Sequence, residues 1–326
     1  MKPTTEKAFE TYIQETMLGA SGWKAGDAIG WDREKGIFPA VVTAFIWDTQ
    51  KDLWEQLEKL HGDELGNKII EALLKERAAK GTLYVLRHGF KFYGKLFSLA
   101  YFKPSHGLNE EILELYKKNI LTVTRQVPCH PRNNDTIDMV LSLNGIPVVT
   151  CELKNPGTGQ TWRDAIHQYK TTRDPRTPLF QYKTGALVHF AIDPQEVYMA
   201  TRLREESTWF LPFNRGSHPG QIQCGAGNPA HPSGHPTAYL WEEVFARDSF
   251  MDIVHSFVFI ETYDDSVISE QGKKTRVTRD HMIFPRYHQL DAVRKLTAAA
   301  QQEGPGRQYL IQHSAGSGKT NSISWL

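Results

Sequence analysis

Three residues set the chemical question. Asp138 lies inside the apolar run TIDMVLSL, and thirteen residues separate it from Glu152, with Lys154 two further on. Two carboxylates and a lysine at this spacing suit phosphodiester hydrolysis. Carboxylate oxygens hold Mg²⁺, a hard cation that prefers oxygen ligands. Such an ion lowers the pKa of its water and polarises the phosphate. The lysine orients that water or neutralises the charge that develops on the phosphate.

The elements around these residues must place them on one face. Alternation along a strand puts Glu152 and Lys154 on the same side. Asn144-Gly145, between the two runs, is a strong hairpin signal. A regular two-residue turn there pairs residues whose numbers sum to 289. Asp138 would then oppose Cys151 and face away from Glu152. One additional residue makes the sum 290 and puts Asp138 opposite Glu152. The site therefore requires a loop of Asn144 to Ile146 or an equivalent bulge, and Pro147, without an N–H, suits such an irregularity.

The rest of the chain supplies an α/β setting. Helical spacing marks 4–18, 64–80 with Gly81 as its stop, and 109–119 with Asn109 as its cap. Strand-like runs cover 120–127, 136–143 and 146–154. A helix over 161–171 buries Ala165, Ile166 and Tyr169, and strands follow at 186–192 and 196–203. Residues 211–237 read as a Pro/Gly/His-rich loop, 250–260 as a core helix or a strand, and 264–282 as a polar linker. A helix over 287–302 and a short strand QYLIQ at 308–312 then lead to the glycine-rich HSAGSGKT. The boundary expected near 265 separates an endonuclease domain, 1–265, from the linker and final segment, 266–326. Within the first, a helical N-terminal region spans 1–119 and a catalytic core 120–205.

Composition excludes several classes. The 326 residues are 40% hydrophobic and 23% charged, with a formal charge of +1, so this is no strongly basic protein. A nucleic-acid enzyme remains possible if its cations gather on one face. No apolar run reaches the ~20 residues that span a bilayer, and no membrane partner is expected. Three dispersed cysteines, Cys129, Cys151 and Cys224, fit a reducing cytoplasm better than a disulfide framework.

The segment NNDTIDMVLSLNGIPVVTCELKNPGTGQTWRDAIHQY resembles the N-terminal nuclease domain of the restriction (R) subunit of type I restriction enzymes, within the PD-(D/E)xK superfamily. The likeness extends to VTRQV before it and to LVHFAID, EVYMATRL and AYLWEEVF after it. It covers most of 120–245 and resumes near 284. The resemblance implies a restriction-endonuclease-like core, a central mixed β-sheet flanked by helices, with Asp138 and Glu152 as metal ligands and Lys154 as catalytic lysine. It implies a helix glutamine in a Q-x-x-x-Y pattern. Gln168 matches, but Thr172 stands where the tyrosine belongs and Tyr169 is adjacent. A glutamate of the N-terminal helix completes such sites, Glu6 by best fit or Glu10 as the alternative.

HSAGSGKT (313–320) follows the pattern of a phosphate loop, except that His313 replaces the first glycine. Backbone N–H groups of Gly316, Ser317 and Gly318 would cradle phosphates, Lys319 would reach the β/γ positions, and Thr320 would hold Mg²⁺. This form resembles the superfamily 2 helicase motor of the same R subunit, with Phe284 and Gln289 as its adenine-reading motif. The resemblance implies the start of a RecA-like domain and ATP-Mg binding in a longer translocase. This chain, ending at Leu326, is expected to be a fragment of it without ATPase turnover.

The function expected is Mg²⁺-dependent cleavage of double-stranded DNA, with methyltransferase and specificity subunits choosing the target. The rival readings are a nuclease-like docking module of a translocase and a stand-alone repair nuclease. Three weaker signals remain. His218, Cys224, His231 and His235 fit no common zinc spacing. Arg163, Lys170, Arg173, Arg176 and Lys183 either track a DNA backbone or form a solvated face. Asn133 and Asn134 read as a turn, and Trp23, Trp31, Trp47 and Trp54 as core or subunit contacts.

Overall fold

The computed structural model describes residues 5–104, 109–221, 224–268 and 274–326. Helix α1 (Glu6–Ala20) starts at Thr5, whose side chain accepts from the Ala8 N–H. A short strand β1 (Lys24–Ala25) follows, then four helices: α2 (Pro39–Thr49), α3 (Lys51–His61), α4 (Leu65–Lys80) and α5 (Thr82–His88). Gly81 ends α4 with a positive φ of 93°, a conformation glycine adopts without a Cβ clash. A small hairpin, β2 (Phe90–Phe92) and β3 (Lys95–Phe97), leads to α6 (Glu110–Lys117), which Asn109 caps through the Ile112 N–H.

The centre is β4 (Leu121–Pro128), β5 (Thr136–Leu143), β6 (Ile146–Leu153), α7 (Trp162–Thr171), β7 (Val188–Ile192), β8 (Val197–Ala200) and β9 (Leu211–Pro212). With β1 these strands form one seven-stranded sheet in the order β1-β4-β5-β6-β7-β8-β9. The β4–β5 and β5–β6 pairs are antiparallel, whereas β6 and β7 are parallel because α7 carries the chain back between them. The sheet is therefore mixed and flanked by helices. Every residue of β6 is buried, as a strand covered on both faces requires. Met139, Leu141, Cys151, Leu153, Phe190 and Met199 pack into the larger core on one face. Val140, Ala191 and Ala200 pack on the other face with Ala165 and Tyr169 of α7. Asp138 and Glu152 alternate in step with this second set.

Beyond the sheet, the run 250–260 resolves into both alternatives in succession. α8 (Arg247–Asp252) passes into a wider π-type turn, Ile253–Phe257, and β10 begins at Phe259. The described part of the polar stretch 264–282 is not irregular but a ribbon. β10 (Phe259–Ile268) pairs antiparallel with β11 (Lys274–Ile283) along its length. Its polar residues mislead because a two-stranded ribbon has little to bury and both faces can carry charge. Within 211–237, Leu211–Pro212 adds an edge strand to β8. α9 (Tyr287–Glu303) and α10 (Lys319–Trp325) close the chain. The expected strand at 308–312 pairs with no strand among the described residues, and β-propensity alone does not make a ladder. No described helix is long and apolar enough to cross a membrane.

Candidate active site

The hairpin register is the geometric key. Leu143 pairs with Ile146 and Ser142 with Pro147, the spacing of a two-residue Asn144-Gly145 turn. Leu141 then pairs with Val149, Val140 with Thr150 and Met139 with Cys151. The register shifts between Leu141 and Ser142, so one residue of β6, Val148, has no partner. This bulge beside Pro147 is the irregularity the site needs. Continuing the same register puts Asp138 opposite Glu152. Gly145 has φ 83°, and a Cβ there would lie 2.7 Å from the Phe38 carbonyl oxygen. Asn144, at φ 51° and fully buried, donates to the Leu99 carbonyl and to Asn119 and accepts from the Ile120 N–H.

Asp138 is 7% exposed and Glu152 not at all. One Asp138 oxygen accepts from the Leu153 N–H at 2.7 Å, and the other faces the Gln126 amide at 3.4 Å. Glu152 Oε1 is paired with Arg173 Nε, whose Nη2 donates to the Thr136 carbonyl at 2.9 Å. Glu152 Oε2 is buried without a hydrogen-bond partner. Burial, reinforced by Asp138, pushes the Glu152 carboxyl well above its ordinary range despite Arg173. Lys154 Nζ sits 2.9 Å from Glu6 Oε1. Burial would lower its pKa, but Glu6, Asp138 and Glu152 together raise it, so the ammonium form is held. The three sequence-predicted residues thus act on one another electrostatically in one place.

α1 adds two more carboxylates. Glu10 is buried, with Oε2 3.0 Å from Arg125 Nε and Oε1 2.9 Å from Gln126 Nε2. Burial raises its pKa, Gln126 opposes this, and Asp138 adds to it. Glu6, Glu10 and Asp138 each bring a carboxylate oxygen within 4.8 Å of the others. Both glutamates left open by the sequence therefore reach the site, Glu6 on Lys154 and Glu10 beside Asp138. Arg125, Gln126 and Arg173 were missed as site residues. For Gln126 the signal was its place opposite Asp138 once β4 and β5 are aligned. Arg173, which the sequence grouped with surface cations, is 4% exposed.

Gln168 of α7 bonds through its carbonyl to Thr172, and Thr172 turns its hydroxyl back onto that carbonyl. Tyr169 is the tyrosine that faces the sheet. It is fully buried, 2.9 Å from Thr150 Oγ1, which in turn is 2.8 Å from His189. Burial lowers the His189 pKa to about 3, so the ring is neutral in this network. Of the other basic residues, Arg163 stacks on Trp162, Arg176 pairs with Asp174 and Lys183 with Asp280. Neither the backbone-tracking nor the solvated-face reading describes Arg173. Asn133 makes a turn by accepting from the Asp135 N–H. His231 lies 3.4 Å from Glu242, and His235 packs on Phe9 and Tyr12, away from the exposed Cys224. Trp23 and Trp31 are buried, whereas Trp47 is half exposed.

The phosphate-loop residues form a separate group. Gly318 is left-handed and starts α10 at Lys319. Gln289 donates its amide to the Gly318 carbonyl at 2.9 Å and to Ser317 at 3.3 Å. Lys319 Nζ donates to the His313 carbonyl at 3.0 Å and to Ser314 at 3.3 Å, and Thr320 and Gly316 are exposed. Gln289 and the loop therefore meet.

The carboxylate group has the donor chemistry of a hard-cation site. The donors are all oxygens. The fully buried Glu152 Oε2 has no partner, and an unpaired buried polar atom is costly unless a further group satisfies it. Glu6, Glu10 and Asp138, with oxygens within 4.8 Å of one another, could hold a hard cation, and Glu152 interacts with Asp138 beside them.

Residues 3–208 match the family described as type I restriction enzyme R protein N terminus. A protein of Methanocaldococcus jannaschii that carries the name type I restriction enzyme MjaVIIIP endonuclease subunit is 23% identical over 306 residues, covering 84% of this chain and 27% of that protein. The chain thus spans about a quarter of that relative's length.

Proposed function

The chain belongs to the type I restriction enzyme R protein N-terminal family, and from that premise we propose that it is a divalent-metal-dependent endonuclease acting on double-stranded DNA. The observation that carries the proposal is the bulge that brings Asp138 into register with Glu152, beside Lys154. The fold is then read as a restriction-endonuclease-like core of the PD-(D/E)xK kind. Asp138 and Glu152 hold Mg²⁺, with Glu6 and Glu10 completing the oxygen set. The bound cation supplies Lewis-acid polarisation of the phosphate and a water of lowered pKa. Lys154 keeps its positive charge and is placed to neutralise charge developing on the phosphate. Burial of Asp138 and Glu152 keeps bulk water from competing for their oxygens, which strengthens electrostatic interactions at the site.

The same reading assigns ATP-Mg to Gln289 and to Gly316, Ser317, Gly318, Lys319 and Thr320, as the beginning of a RecA-like motor. It assigns choice of target to methyltransferase and specificity subunits. The test is plasmid nicking with Mg²⁺, with and without those subunits. Wild type should nick, and Asp138→Ala and Lys154→Ala should each lose about 100-fold or more, as expected for groups that act on transition-state charge. DNA binding without cutting in every metal and partner combination would leave the docking-module reading standing instead.

A further inference from the structure

Gln126 does something a strand residue does not ordinarily do. Consecutive residues in a strand point to opposite faces, yet Arg125 and Gln126 both hold Glu10, one on each carboxylate oxygen. The cause is local. Gln126 has φ 50°, a left-handed conformation uncommon outside glycine and asparagine. No residue is inserted, because Arg125 pairs with Met139 and Val127 with Ile137 in the same register. The backbone is turned at one residue only, directly across from Asp138.

That turn lets one amide join three elements. Gln126 Nε2 donates to Glu10 of α1 at 2.9 Å and faces Asp138 of β5 at 3.4 Å. Its Oε1 accepts from Thr136 Oγ1 at 2.7 Å. The two carboxylates, which only accept, fix which end of the amide faces them, and the Thr136 hydroxyl holds the other end. We infer that Gln126 is a positioning residue, which uses a left-handed backbone to set the α1 carboxylates against Asp138 and so fixes the shape of the cation site. This rests on the metal-site portion of the proposed function. Backbone conformations of this kind persist where the surroundings impose them, and they cluster at functional sites.

The experiment is Mn²⁺ binding by the full chain, followed by calorimetry, together with thermal melting. Gln126→Gly relieves the backbone and deletes the amide, so its Tm should equal or exceed wild type while Mn²⁺ binds about tenfold more weakly, the lower end for lost outer-shell partners. Thr136→Val keeps the backbone and deletes the hydroxyl that anchors the far end of the amide, and it should weaken Mn²⁺ in the same direction. Wild-type affinity in both variants overturns the inference. So does a loss of affinity in Gln126→Gly that comes with a matching fall in Tm, because that marks a merely structural role. If wild type binds Mn²⁺ but never cuts DNA, the nuclease proposal fails and these affinities still decide the role of Gln126. If wild type binds no Mn²⁺, the inference is overturned and the nicking assay judges the nuclease reading alone.

Discussion

Glu152 occupies a position where burial, a neighbouring carboxylate and a guanidinium compete. Burial and Asp138 outweigh Arg173, so the folded chain holds a proton on this group at pH values where an unfolded glutamate, with its ordinary value of 4.5, has lost it. The folded state therefore binds more protons than the unfolded state between those two values. Stability from this group is full below the ordinary value and is lost as pH rises through the folded one. The metal-free protein should lose urea resistance as pH rises above the ordinary glutamate value of 4.5, and Glu152→Gln should remove some of that loss, since an amide does not titrate. Equal pH slopes for wild type and variant would show that Glu152 is not the group responsible. Lys154 shows the opposite balance, because the nearby carboxylates hold its charge against burial.

At the scale of elements, the β5–β6 hairpin decides whether there is a site at all. Its turn is held by Asn144, which satisfies the Leu99 carbonyl, Asn119 and the Ile120 N–H from a fully buried place. Asn144→Ala removes these bonds and leaves buried groups unpaired in a backbone that already favours asparagine or glycine. The expected cost is roughly 2–4 kcal/mol in chemical denaturation, in line with a broken buried network. A change under about 0.5 kcal/mol, as at an ordinary surface position, would mean that the turn is held by other means. The bulge at Val148 then converts the turn's register into the one that faces Asp138 toward Glu152. A tight turn and a bulge shortly after it do together what either alone would not.

Over the whole molecule, the carboxylate site and the glycine-rich loop proposed to bind phosphate are built from different elements. The first rests on α1, β4, β5 and β6, and the second on α9 and the start of α10. Between α9 and α10 the residues Arg307 to Gln312 are exposed and without regular structure, the kind of segment proteases cut first. Limited trypsin digestion should therefore cleave after Arg307, and a chain ending there should keep wild-type Mn²⁺ affinity. Loss of Mn²⁺ binding on that cleavage would show that the two sites are not separable.

Much of this was legible in the sequence. The apolar runs of β4, β5 and β6, the cap at Asn109 and the Gly81 stop are local signals with local causes. The demand for one residue beyond a tight Asn144-Gly145 turn followed from the two-residue period of a strand. Local pattern failed where the outcome depends on which segments pair and pack together. It did not show that Phe259–Ile268 pairs with Lys274–Ile283, that Arg173 folds inward onto Glu152, or that Gln126 turns to hold Glu10. Residue types and spacing were enough to name the groups able to do the chemistry and the register they needed. Which charges are compensated was settled only by the folded chain, because burial, ion pairing and a left-handed backbone depend on what long-range packing brings together.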